Sequence, residues 1–169
     1  MIDRRRLIHA ALATAVLPAG MLVSSEARAQ SFQRFFPLLV ELQGWKGGKP
    51  DGAAVEIPGH SMVTATREYR RGEARVNAQV ILGPAAQGAL TSIQSGLKIE
   101  TSDARMSTST IDGLPVARTF TIKDKSGAVL VAVGDSAVFS LSFNGIDDDE
   151  GLALARKFDW KALQAAVAK

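Results

Sequence analysis

Cysteine is missing from this chain altogether. That removes disulfides, thiolate nucleophiles, iron–sulfur ligation and a lipid-bearing N-terminal cysteine from consideration. Histidine is almost missing too, with His9 near the N-terminus and His60 beyond it. Zinc and copper sites draw on several His or Cys ligands, so no metal or other cofactor is expected. A Ser-His-Asp triad has His60 as its one available base, and no serine sits in a G-x-S-x-G elbow. Past residue 29, no apolar run approaches the roughly 20 residues that a membrane-spanning helix needs.

What the first 29 residues do contain is a leader pattern. Arg4, Arg5 and Arg6 form a basic head, Leu7 to Val23 an apolar middle, and Ala27-Arg28-Ala29 a small-residue end. These are the three parts of a secretory signal, and they predict cleavage after Ala29 and export to the periplasm. The head resembles a twin-arginine signal, carried by Asp3, Arg4-Arg5, Arg6 and Leu7-Ile8. That resemblance implies that the domain crosses the membrane already folded. An ordinary secretory signal with three arginines, and an uncleaved anchor, are the alternatives. Contact with the membrane is expected only during export.

Charge looks different once the leader is set aside. The whole chain has 20 basic and 17 acidic residues; the leader takes four arginines and two acids, leaving 16 against 15. The densest basic cluster, Arg67, Arg70, Arg71 and Arg75, is interspersed with Glu68 and Glu73. Nucleic-acid binding, which needs a basic stripe or patch, is not expected.

Residues 30–169 read as one α+β domain of about 140 residues, enough to bury roughly two-thirds of its surface without staples. Phe32, Phe35, Phe36, Leu39 and Leu42 recur near the helical period and predict a short amphipathic helix over Gln30 to Leu42, with Pro37 either kinking it or marking its first turn. Lys46 to Gly52 reads as a flexible loop and Ala54 to Ile57 as a short strand. Period-2 alternation over Met62–Tyr69 and Ala74–Leu82, across Arg71-Gly72-Glu73, predicts a hairpin. Pro84 to Ser95 suits a short helix. Strands are then expected at 97–100 and 105–111 (one bent or two short), 116–123, 129–133 and 138–143, the fourth of these apolar on both faces. Asp147 to Glu150 favour a helix start, and Asp159 caps a last helix from Trp160. The expected class is a mainly antiparallel sheet of about six to seven strands, with helices at the N-terminus, mid-chain and C-terminus.

Candidate sites are few. His60, at a strand entrance, is the weak catalytic candidate, with a carboxylate from elsewhere orienting it. Trp45 and Tyr69 with Arg67, Arg70 and Arg71 form the weak ligand-binding candidate, an aromatic–cationic patch; the plain alternative is Trp45 as a core plug beside solvated arginines. Gly47-Gly48-Lys49 lacks the remaining residues of a phosphate loop. Asp147 to Glu150 are consecutive rather than alternating, so they do not form a calcium loop.

Gly44-Trp45, the Tyr69–Gly72 hairpin, Asp112-Gly113-Leu114-Pro115 and Phe158-Asp159-Trp160-Lys161-Ala162-Leu163 together resemble small exported proteobacterial proteins of unknown function. The resemblance covers most of the chain after the leader and implies no activity. The expected role is a non-enzymatic periplasmic binding or interaction domain, its partner an unknown protein or small molecule, with a pocket between the sheet and the Phe-rich N-terminal helix. An acid–base hydrolase using His60 and an envelope assembly or stress factor are the alternatives.

Overall fold

The computed structural model describes residues 32–168. The leader residues Arg4, Arg5, Ala27 and Ala29 lie outside the described residues. Among the described residues, no helix is long and apolar enough to cross a membrane.

Among the described residues nine strands build one sheet: β1 (Lys46–Gly47), β2 (Asp51–Ile57), β3 (His60–Arg71), β4 (Ala74–Leu82), β5 (Ile99–Glu100), β6 (Ala104–Ile111), β7 (Leu114–Thr121), β8 (Ser126–Gly134) and β9 (Ala137–Asn144). Every pairing is antiparallel. The order is β1-β3-β4-β9-β8-β7-β6-β5, with β2 also paired to β3. Neighbours in sequence are mostly neighbours in space, and the exceptions are β1 against β3 and the seam between β4 and β9. Among the described residues three complete α-helices join the sheet: α1 (Pro84–Gln94), α2 (Asp148–Ala155) and α3 (Trp160–Val167).

The two faces of the sheet are packed unequally. Alternation places Ala65 and Tyr69 of β3, Val76, Ala78 and Val80 of β4, Phe139, Leu141 and Phe143 of β9, and Val129, Val131 and Val133 of β8 on one face. That face meets α2, α3 and the segment Phe35–Trp45, and Phe158 joins the layers by tilting against Phe139 at 5.0 Å and Tyr69 at 6.3 Å. Trp160 at the head of α3 donates its indole N–H to the Ala155 carbonyl (2.9 Å), so the buried ring leaves no polar group unpaired. On the opposite face, α1 lays Ala86, Leu90 and Ile93 on Ala117 and Val138, flanked by Ile81, Leu130 and Ala132. β8 is therefore covered on both sides at its Ala132 end, as its unbroken apolar run predicts. α1 starts with Pro84 in its first turn, and Asp159 caps α3 by accepting from the Ala162 N–H at 2.9 Å.

Two expectations need correction. Among the described residues the sheet has nine strands rather than six or seven, because β1 falls in the stretch read as a loop and residues 97–111 divide into β5 and β6; β2 also begins early, at Asp51. Gly52 is admitted to that strand by its lack of a side chain: a Cβ there would lie 2.6 Å from the Phe32 ring. The second correction concerns the N-terminal helix. Among the described residues the segment forms a 3₁₀ turn at Phe36–Leu38, with no α-helix following it. Pro37 lacks the N–H that would extend a helix. Further on, the Leu39 and Val40 carbonyls are engaged by side chains of β3 instead of by helical amides. The phenylalanine spacing marks a buried face, but tertiary capture sets the backbone.

Candidate functional site

The aromatic–cationic residues do come together, and they do so in the packed layer. The buried Arg67 reaches from β3 into the Leu39–Gly48 segment. Its Nε donates to the Gly48 carbonyl (2.8 Å), its Nη1 to the Leu39 carbonyl (2.7 Å), and its Nη2 to the Glu41 carboxylate. The guanidinium lies 5.4 Å from the centre of the Tyr69 ring, and the Tyr69 hydroxyl donates to the Val40 carbonyl (2.7 Å). One arginine and one tyrosine thus satisfy three consecutive-region carbonyls that no helix or strand serves. Gly47 makes room for this clip, since a Cβ there would stand 2.9 Å from the Arg67 guanidinium. Burial pushes the Tyr69 phenol up to about 12; Arg67 draws it down and Glu41 up, but desolvation prevails.

Trp45 is buried beside this clip, with the Arg71 guanidinium stacked 4.3 Å from its ring. Arg71 also reaches Glu150 of α2 (2.6 Å). Arg67, Tyr69, Trp45 and Arg71 therefore tie the layers together, with Arg67, Tyr69 and Trp45 buried and Arg71 partly exposed. Phe35 and Leu39 of the N-terminal segment are buried in the core against the sheet.

The acidic run has a comparable structural account. Asp148 and Asp149 accept from Arg118 of β7 (2.6 and 3.2 Å), Asp147 meets Lys125 (3.2 Å), and Glu150 meets Arg71. All four carboxylates lie at the start of α2, where the helix dipole favours negative charge. Among the described residues, no group of three or more His, Asp or Glu side chains is arranged to hold a metal. His60 stands exposed at the β2–β3 turn; among the described residues its ring makes no ion pair or side-chain hydrogen bond.

The remaining arginine of the cluster belongs to a different setting. Arg70 lies on the face of the sheet that carries α1, at the end α1 leaves open, directly across from Arg75. Their neighbours on the same face are Glu68 and Asn77, which pair with each other, then Ser142 and Asn144 of β9, opposite Asn77 and Arg75. These six residues line a groove of about 290 Å³. Like charges directly opposite on adjacent strands destabilise a sheet, since their Cβ atoms stand about 5 Å apart. Relief here is slight: Arg70 meets Glu68 at 3.5 Å, both exposed, and Arg75 makes no ion pair among the described residues. Two guanidiniums with Asn77, Ser142 and Asn144 beside them can hold an oxyanion by bidentate and neutral hydrogen bonds, although the Glu68 carboxylate lines the same groove.

Of this groove, the sequence flagged Arg70 alone. Arg75 stands out in the sequence only as part of the basic cluster, and Asn77, Ser142 and Asn144 belong to no motif. The available signal was the turn: with Gly72-Glu73 at its tip, the hairpin register forces Arg70 and Arg75 to face each other. Compared with protein-family models, with curated proteins and with solved structures, the chain matches none of them.

Proposed function

We propose that the chain is exported to the periplasm, loses its leader after Ala29, and works there as a non-enzymatic binding domain. Its ligand site is the groove at Arg70 and Arg75, and its ligand is an anionic small molecule or an acidic group of a protein partner. The observation that carries this reading is the pair of arginines placed opposite each other on an open sheet face, a costly arrangement that an anion relieves. The leader pattern of Arg4, Arg5 and Ala27-Arg28-Ala29 supports the compartment.

Native mass spectrometry of protein taken from the periplasm tests the whole reading. The expected protein begins at Gln30 and carries an added mass that is lost in an Arg70→Ser/Arg75→Ser variant. A chain that begins at Met1 in the cytosol removes the compartment. A bare mass together with no crosslinked partner removes the binding role. Replacing Arg4 and Arg5 by lysine is expected to block export if the leader is of the twin-arginine type, and unchanged export assigns it to the general route.

A further inference from the structure

The arginine groove is one end of a longer feature. Following the register from strand to strand, Glu68, Asn77, Ser142, Ala128, Thr119, Met106 and Ile99 form one unbroken row across β3, β4, β9, β8, β7, β6 and β5. A parallel row runs Arg70, Arg75, Asn144, Ser126, Thr121 and Ala104. Both rows lie on the α1 face, and α1 covers the residues next to them, Leu130 and Ala117, so the helix stands along one flank.

Chemistry changes steadily along this strip. The β3–β4 end is cationic. The middle (Ser126, Ala128, Thr119, Thr121) is small and without charge. The β5–β6 end is apolar: Ile99 is 45% exposed and Leu97, just before it, 44%, while Met106 is half-buried. A second hollow of about 240 Å³ opens there, lined among others by Ile99, Ala104, Met106, Thr119 and Thr121. What sets this end apart is the grouping of Ile99 and Met106 about one hollow, with Leu97 near in sequence, at the far end of an uncharged row.

We propose that this strip holds a single-chain amphiphile, its anionic head between Arg70 and Arg75 and its hydrocarbon chain laid over Ala128 and Thr119 to end against Met106 and Ile99. The inference deepens the anion-binding reading and rests on it. With strands about 4.8 Å apart, the four steps from β4 to β6 span roughly 19 Å, the reach of a long alkyl chain rather than of a small acid. Charge fixes which end is which, and the small side chains of the middle leave the chain a shallow bed.

Titration of the full chain, followed by backbone amide NMR shifts, with dodecyl phosphate below its micelle concentration, inorganic phosphate and dodecyl maltoside tests this. Dodecyl phosphate is expected to bind at least tenfold tighter than inorganic phosphate, and to shift amides from Arg75 through Ala128 to Met106. Arg75→Ser is expected to weaken it tenfold or more. Ala128→Phe, which fills the bed, and Met106→Gln, a milder change at an already half-exposed position, are both expected to weaken dodecyl phosphate while leaving inorganic phosphate unchanged. Equal affinity for both phosphates removes the tail site but leaves the anion groove standing. No binding of either removes both. Dodecyl maltoside bound as tightly as dodecyl phosphate removes the role of the arginines. Binding only to anionic vesicles, and not to the monomeric amphiphile, assigns the strip to a membrane surface and overturns the proposal.

Discussion

The two faces of this sheet are made by the same strands and have opposite characters. Toward α2 and α3, Phe139, Leu141, Val131, Tyr69 and Phe158 interlock with almost no exposure, and the polar atoms among them are each given a partner. Toward α1, packing stops halfway: Val138 and Ala117 are covered, but Ser142, Ala128 and Thr119 lie beyond the helix. The closed face carries stability, and the open face carries the arrangement that costs stability, Arg70 against Arg75. Where a sheet keeps an unfavourable pair on its uncovered half, a ligand is the simplest relief.

If this division is right, substitutions should differ in sign across the sheet. The largest effect belongs to the closed face. Phe139→Ala removes a ring packed against Phe158 and should lose about 3–5 kcal/mol in a denaturant titration. Next comes the clip. Arg67→Met leaves the Leu39 and Gly48 carbonyls without their donor; the mostly exposed Glu41 partner is screened and adds little. The expected loss is about 2–4 kcal/mol, with faster hydrogen exchange from residues 39–48. A global loss with no local change in exchange would deny that Arg67 holds that segment.

Third is a pH effect on the same clip. Unfolded Tyr69 loses its proton near pH 10 and the folded residue near 12. Below pH 10 both states are protonated and the contribution is complete. From 10 to 12 the unfolded state alone ionises, and stability should fall by up to about 2.7 kcal/mol. Because Tyr69 is the only tyrosine, tyrosinate absorbance reads it directly; a midpoint near 10 in the folded protein would show the phenol is not desolvated. The smallest effect is on the open face and has the opposite sign. Arg75→Thr relieves the like-charge pair and should gain a few tenths of a kcal/mol while abolishing anion binding. A loss of 1 kcal/mol or more there would mean that Arg75 serves the fold.

Much of the closed face was legible beforehand. The alternation in β3, β4 and β9 names the buried residues, and the double-sided apolar run of β8 anticipates cover on both faces. Pro84 and Asp159 mark the starts of α1 and α3 by local chemistry alone. What local pattern does not carry is partnership. Arg67 sits at an inward position of its strand, which marks it as an oddity without saying that it serves carbonyls 19 to 28 residues earlier. The phenylalanines at 32, 35 and 36 keep a helical spacing that Pro37 and this capture override. The open strip was the least legible of all. Its members come from seven strands, and none of them is unusual until the order β3-β4-β9-β8-β7-β6-β5 sets them side by side.

That order also governs how the chain can assemble. β1 to β4 and β5 to β9 each form by turns between near neighbours, whereas the β4–β9 pairing joins positions such as Ala78 and Leu141 from distant parts of the chain. Closing so long a loop costs entropy before any contact repays it, so pairing along this seam is expected to be the slow step of refolding. Until they meet, the inner edges of β4 and β9 are bare to any other strand, and the same seam that completes the molecule is the place where two copies would exchange halves.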